Sequence, residues 1–409
     1  MTAVLSPDTP SGAYRVQRAS PDSPSTASTP TRQRLDHVDL LRGLVMVIMV
    51  LDHVRAYFTE ARFDPTDLTR TDAALFATRW ITHYCAPTFV FLAGASAWIA
   101  GTRRTRGELA RFLLTRGLWL IGVELTVISF GWYFTARMAL GPVAQVIWAI
   151  GASMIVLAAL TYLPRAAVAA AGLTMVLGHN LLDGIAPEQF GSLAPLWRVL
   201  HVPGPLEVVP VLLLYPLVPW AGVMALGYAA GPAVFSRRPD TTRRLALAGA
   251  VLVVAFVALR SLDFYGDPSP RLQEGGAALL AMSFLNLTKY PPSLLYLLMT
   301  LGPMLVALAL LRRASGPAAN VLITFGRVPF LFYVAHLYLV HALAVAAGTA
   351  QGFPASALLD VFIRLPDGYG FGLSVVYLVW AGVVAALYPL CRRYAALKAR
   401  SRSPWLSYL

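Results

Sequence analysis

The chain has 409 residues, 57% of them hydrophobic and only 13% charged, with a mean hydropathy of +0.63. Soluble domains carry ~25% charged residues, so a soluble globular protein is excluded and an all-α, polytopic integral membrane protein is expected. The formal charge of +13 does not point to nucleic acid, because the arginines sit in short clusters between apolar runs, as the positive-inside rule predicts for cytoplasmic loops.

In chain order, the first 34 residues are rich in Ser, Thr and Pro and hold no apolar run. They read as a disordered cytoplasmic tail rather than a signal peptide or a span. Apolar segments of spanning length then recur at about 38–58, 79–101, 112–135, 142–163, 165–183, 208–231, 243–263, 291–312, 320–346 and 371–394, which gives about ten transmembrane helices. Arginine clusters follow the second span (Arg103, Arg104, Arg106, Arg111), the sixth (Arg237, Arg238, Arg243, Arg244), the eighth (Arg312, Arg313) and the tenth (Arg392, Arg393). These are alternate loops, so both termini are expected in the cytoplasm. The organisation is a tail at 1–34, a transmembrane domain at 35–395 and a basic cytoplasmic tail at 396–409. A further apolar piece at 275–287 is too short to cross and reads as re-entrant or interfacial.

The first span carries the densest chemistry. Arg42 lies near its start and Asp52 with His53 near its end, and ionisable groups in a span face a cavity, a partner or a reaction. His53 follows Arg42 by eleven positions, three helical turns and roughly 16 Å of rise, so one face presents a cation near one membrane surface and an imidazole near the other. Imidazole titrates near neutrality and is suited to take a proton from a hydroxyl or amine; a hydrogen-bonded structural histidine is the bland alternative. Asp52 points about 100° away from His53 and is read as pairing with Arg55 or with a group on another span. Arg42 matches a phosphate-bearing carrier or snorkels to headgroups.

With orientation assigned, the histidines share a depth. His53, His83, His179, His336 and His341 all fall in the outer halves of their spans, with Gln145, Asn180 and Lys289 at the same level. Arg42 and Arg327 fall at the inner level, and Arg327 lies eleven positions before Tyr338, on one face with His341 not far from it. The picture is an imidazole-lined outer chamber and a basic inner mouth. No close-spaced ligand pattern such as HExxH occurs, so no metal is expected. Cys85 and Cys391 are placed at opposite levels, which disfavours a disulfide between them.

The run LDHVDLLRGLVMVIMVLDHVRAYF, with THYCAPTFVFLAGASAWIAG, YPLVPWAGVMALGYAAG, NLTKYPPSLLYLLMTLGP and FGRVPFLFYVAHLYLVH, resembles the bacterial branch of the heparan-alpha-glucosaminide N-acetyltransferase catalytic-domain family over residues 34–393. Arg42, ten residues and then His53 is similar to the R-x10-H motif of the acyltransferase-3 family, of the same transmembrane superfamily. The resemblance implies a multi-pass enzyme of the bacterial inner membrane that moves an acetyl or other acyl group from cytoplasmic acyl-CoA to a glycan-like acceptor on the other side. It implies that His53 is the catalytic histidine and that Arg42 holds or orients the donor. Asp52, beside His53, is grouped with it, and Arg327, which has the same phosphate-binding and snorkelling readings as Arg42, is grouped with Arg42 for acyl-CoA. The acceptor pocket is then assigned to His83, His179, His336, Tyr338 and His341. One departure is that the heparan enzyme places its histidine after the first span, whereas residues 54–82 contain none here. Either His53 or His83 takes that role, or the branch has lost the activity. Oligomeric state is open, a homodimer included. The rival reading from another class is a proton-coupled transporter or lipid-linked flippase, which predicts repeat symmetry between two halves; the prolines show none.

Overall fold

The computed structural model describes residues 36–206, 208–236, 238–360 and 365–401. The tail expected at 1–34 and residues 402–409 therefore lie outside the described residues. The chain opens with α1 (Asp36–Phe58), α2 (Ala73–Trp80), α3 (Cys85–Gly101), α4 (Arg106–Val123) and α5 (Ser129–Tyr133). It continues with α6 (Val146–Leu160), α7 (Arg165–Gly178), α8 (Ala194–Leu200), α9 (Leu217–Val234) and α10 (Pro239–Leu262). The remaining helices are α11 (Ala277–Leu285), α12 (Leu294–Leu310), α13 (Pro317–Arg327), α14 (Pro329–Ala350) and α15 (Leu373–Arg400).

Eight helices among the described residues are long and apolar enough to cross a membrane. To these add α6, apolar but only 15 residues long, and α1, 23 residues long but studded with Asp36, Asp39, Arg42, Asp52 and Arg55. Charged groups survive in α1 because the helix is central: it packs on α3, α12, α13, α14 and α15, and most of its residues are buried. Peripheral helices show the reverse. Val251 and Val254 on α10 and Leu378 on α15 are exposed, as side chains facing lipid tails are. α15 runs through Arg400, so the basic tail expected from 396 begins as helix.

The ninth span is corrected. Rather than one helix over 320–346, the chain breaks at Val328 (φ −132°, ψ 48°), because the residue before a proline is pushed out of the α region and Pro329 starts a new helix. Arg327, Tyr338 and His341 therefore do not share a continuous face. A second feature with no counterpart in the sequence reading is a three-stranded sheet, β1 (Val143–Ala144), β2 (Gly204–Leu206) and β3 (Val211–Leu213), in the order β1-β3-β2. The piece at 275–287 holds only the nine-residue α11.

Two of the arginine-rich connections, those after α9 and α12, meet beside the start of α1. Arg312 donates to the carbonyls of Ala233, Val234 and Ser236 at 2.5–3.1 Å, and His37 lies 3.1 Å from the Val234 carbonyl. At the opposite end, Thr59 bridges to Phe371 and Asn286 donates to the Thr66 carbonyl at 2.9 Å. Helices approach closely where glycines face backbone. A Cβ on Gly43 would sit 1.8 Å from the Leu322 carbonyl oxygen, and one on Gly326 1.7 Å from that of Asp39, so α1 and α13 touch through small residues as membrane helices commonly do.

Candidate active site

A cavity of about 690 Å³ is bounded by the C-terminal half of α1, the α2–α3 junction, Trp132, Gln145, Tyr215, Lys289, Tyr290 and Tyr333. α1 contributes Met49, Asp52, His53, Arg55 and Ala56, and the junction contributes Arg79, Thr82, Cys85, Ala86 and Phe89. The helical period explains the α1 set: residues three and four apart share a face, which places Met49, Asp52, His53 and Ala56 on one side.

His53 is fixed by a hydrogen-bond chain. Its Nδ1 lies 2.7 Å from Nε2 of His336, and Nδ1 of His336 lies 3.0 Å from the Phe332 carbonyl oxygen. A carbonyl only accepts, so His336 carries its proton on Nδ1, and in the neutral ring its Nε2 is a lone pair. His53 must then donate from Nδ1. Its Nε2 is left without a proton, on a side chain that lines the cavity. Trp132 and Tyr333 hold the ring edge-on at centroid distances of 4.9 and 6.3 Å.

Asp52 does not face His53. Its carboxylate accepts from Arg55 at 2.5 Å and from Arg79 at 2.8 and 3.0 Å, forming a paired network of the kind a buried charge requires. Lys289 lines the same cavity with its Nζ 5.3 Å from the Tyr290 ring centroid, and it forms no ion pair among the described residues. Asp52 and Asp64 are thus outnumbered by Arg55, Arg62, Arg79 and Lys289 in the lining, so the chamber is net positive.

The other residues singled out from sequence are placed as follows. His336 stands directly behind His53, and the rest of the predicted acceptor set does not line the cavity. His83 is buried between the lining residues Thr82 and Cys85, its ring 5.3 Å from that of Tyr296. His341 has a carbonyl oxygen 2.9 Å from each ring nitrogen, Gly131 at Nδ1 and Leu358 at Nε2, with the Tyr57 hydroxyl 3.3 Å from Nδ1, so it straps α14 to its neighbours. Tyr338 donates to the Val127 carbonyl at 2.8 Å, within the π-helical stretch Glu124–Ile128. His179 belongs to a separate cluster with Asp183 and His201. Arg42 and Arg327 lie together at the opposite end of α1. Arg42 donates to Ser96 at 2.6 Å and Asp39 at 3.3 Å, and Arg327 to Asp36 at 3.2 Å, with Asp39 4.0 Å away. Cys85 and Cys391 are both buried free thiols.

Residues 34–266 match the model of the family described as heparan-alpha-glucosaminide N-acetyltransferase, catalytic. The chain belongs to this family. No curated protein matches it. Membership in the heparan-alpha-glucosaminide N-acetyltransferase catalytic family points to a membrane acetyltransferase. The matched stretch contains Arg42, Asp52, His53, Arg79 and Gln145, whereas Lys289, Tyr290, Tyr333 and His336 lie beyond it.

Sequence reasoning did not assign Arg79, Trp132, Tyr290 or Tyr333 to the site, and noted Gln145 and Lys289 only for their depth. Arg79 comes in because α2 passes through the turn Ile81–Tyr84 into α3, a bend with no marker in the sequence. Tyr333 does carry a retrospective signal: it precedes His336 by three residues, on the same helical face.

Proposed function

We propose that the protein transfers an acetyl group from acetyl-CoA to a hydroxyl or amine of a glycan-like acceptor, with His53 as general base. The observation that carries this reading is the contact of His53 Nδ1 with His336 Nε2, backed by the Phe332 carbonyl, on a side chain that lines the cavity; in the neutral ring this leaves Nε2 of His53 as the basic nitrogen. Nε2 removes the acceptor proton as the acceptor oxygen or nitrogen attacks the thioester carbonyl. The new C–O or C–N bond forms, the C–S bond breaks, and the departing CoA thiolate recovers the proton from His53. The hydrogen bond to His336 steadies the imidazolium while it lasts, and the cationic wall formed by Lys289, Arg55 and Arg79 favours the developing negative charge. Asp52 serves by holding Arg55 and Arg79 in place.

Arg42 and Arg327 are assigned to the phosphates of CoA at the other end of α1, the thin pantetheine arm bridging to the cavity. Trp132, Tyr290 and Tyr333 offer aromatic faces to a sugar ring, and Gln145 offers a buried amide. His83 remains within one residue of that wall. This reading has the protein in the inner membrane with both termini cytoplasmic; what supports it is the alternation of arginine clusters along the sequence and the meeting of two of those connections beside the start of α1. Acetyl transfer from radiolabelled acetyl-CoA to a panel of hexosamines and neutral sugars, using protein in lipid nanodiscs, is the test. Labelled product from the native protein and none from a folded His53→Gln variant is expected. Equal product from both would overturn the assignment.

A further inference from the structure

Away from the cavity, His179, Asp183 and His201 converge from two segments. α7 ends in the tight turn His179–Leu182 with Asp183 capping it, and His201 closes α8. One ligand atom from each residue lies within 4.8 Å of the other two. His201 Nε2 is 3.1 Å from Asp183 Oδ1, and the two imidazole centroids are 5.9 Å apart. Both histidines are about 1% exposed. Among the described residues, neither nitrogen of His179 and not Nδ1 of His201 meets a hydrogen-bond partner. Buried polar atoms are nearly always partnered, and here three orphans sit on two adjacent rings beside a carboxylate.

We infer that His179, Asp183 and His201 form a binding site for a divalent transition metal, with Zn²⁺ the ion whose preferences it fits best. Two imidazoles and one carboxylate are a three-ligand set of the kind Zn²⁺ takes, and the nitrogen donors disfavour Mg²⁺ and Ca²⁺, which prefer oxygen. Bonds of ~2.05 Å at tetrahedral angles bring ligand atoms to roughly 3.4 Å of one another, so separations that now lie within 4.8 Å close by at most about 1.4 Å on binding. The supporting shell is in place. Asn180 donates to the other oxygen of Asp183 at 2.8 Å and accepts from the backbone of Leu294 at 2.8 Å, which orients the carboxylate and ties it to α12. Trp197 packs on His201 at 5.4 Å.

None of the three residues lines the cavity, so the metal is not part of the transfer chemistry. Its effect is mechanical. It clips the end of α7 to α8, and the chain continues from His201 through β2, paired on β3, to Leu214 and Tyr215 of the cavity wall. The sequence hides the site, because spacings of four and eighteen residues match no close-spaced ligand pattern.

The test uses the full chain in nanodiscs, stripped with a chelator and titrated with Zn²⁺ by competition against a chromophoric chelator. Native protein, Asp183→Asn, His201→Gln and His53→Gln are compared. One Zn²⁺ per chain is expected in native protein and in His53→Gln, with affinity reduced at least ~100-fold in the other two, since each loses a direct ligand. Zn²⁺ should raise the melting temperature of the first pair only. Should the cluster variants fail to fold, Co²⁺ added to native protein and to His53→Gln decides: the same ligand-field spectrum in both supports the site. Loss of that spectrum or of Zn²⁺ binding in His53→Gln, or equal Zn²⁺ affinity in all four proteins, overturns it.

Discussion

His53 Nδ1 lies 2.7 Å from His336 Nε2, a single contact that joins α1 to α14 and decides which nitrogen of His53 is basic. Without the acceptor on His336, His53 is free to carry its proton on Nε2, where it cannot act as base. His336→Leu should therefore lower kcat by ~10- to 100-fold with KM unchanged, short of the ~10²–10⁴ that a general base itself contributes. His336→Gln retains an acceptor oxygen and should recover part of the loss. Steady-state kinetics on matched, folded preparations measure this, and equal kcat in the two variants would show that the partner is mere packing.

Asp52 is tied to the buried guanidinium of Arg55 at 2.5 Å and to the partly buried one of Arg79 at 2.8 Å. Removing one partner from a buried ionic network leaves the other charges uncompensated, at a cost of ~3–5 kcal/mol. Asp52→Asn should lower the melting temperature markedly. Adding Arg79→Gln to it should restore much of the loss, because the surplus cation is then gone. A pure catalytic role predicts instead an unchanged melting curve with reduced kcat, so thermal unfolding followed by tryptophan fluorescence separates the two.

Lys289 supplies a positive charge that forms no ion pair among the described residues, in a cavity shared with His53 and Asp52. If that charge faces the thioester and the leaving thiolate, Lys289→Gln should reduce transfer about tenfold while leaving the fold intact, and Lys289→Arg should retain most of it. The decisive comparison is the turnover of acetyl-CoA against that of an acyl donor with a more acidic leaving thiol. The defect should shrink with the better leaving group, and a constant defect would place Lys289 on the acceptor instead.

Much of this arrangement was legible from residues alone, for identifiable reasons. Length and hydropathy exposed the spans, and two of the arginine-rich connections, those after α9 and α12, meet through Arg312. Arg42 and His53 stood out because a charge inside an apolar run has a cost that demands a cause. What stayed hidden depended on contacts between distant segments. His336 and His341 share one helix five residues apart, yet one meets another imidazole and the other two carbonyls, a difference set by α1 and by the residues around Gly131 and Leu358. The break at Val328 was signalled by Pro329 but outweighed by a continuous apolar run. The pairing of His179 with His201 required the intervening segment to fold back, which no local pattern records.

The α1–α13 contact offers the sharpest test of the basic end. Gly43 and Gly326 each meet backbone so closely that an added Cβ would lie under 2 Å from a carbonyl oxygen, and the same two helices carry Arg42 and Arg327, which both approach Asp39. Gly326→Ala must therefore push α13 off α1. Overpacking costs ~1–3 kcal/mol, and the displacement separates the two arginines. Weaker acetyl-CoA binding by calorimetry is expected, together with a lowered melting temperature. Gly122→Ala is the control: its Cβ would meet nothing within 4 Å, and alanine is the better helix former, so stability should hold or rise slightly. If Gly326→Ala lowered stability yet left acetyl-CoA affinity at the native value, the phosphates of CoA would not be held between Arg42 and Arg327, and the donor site would have to be sought elsewhere on the bundle.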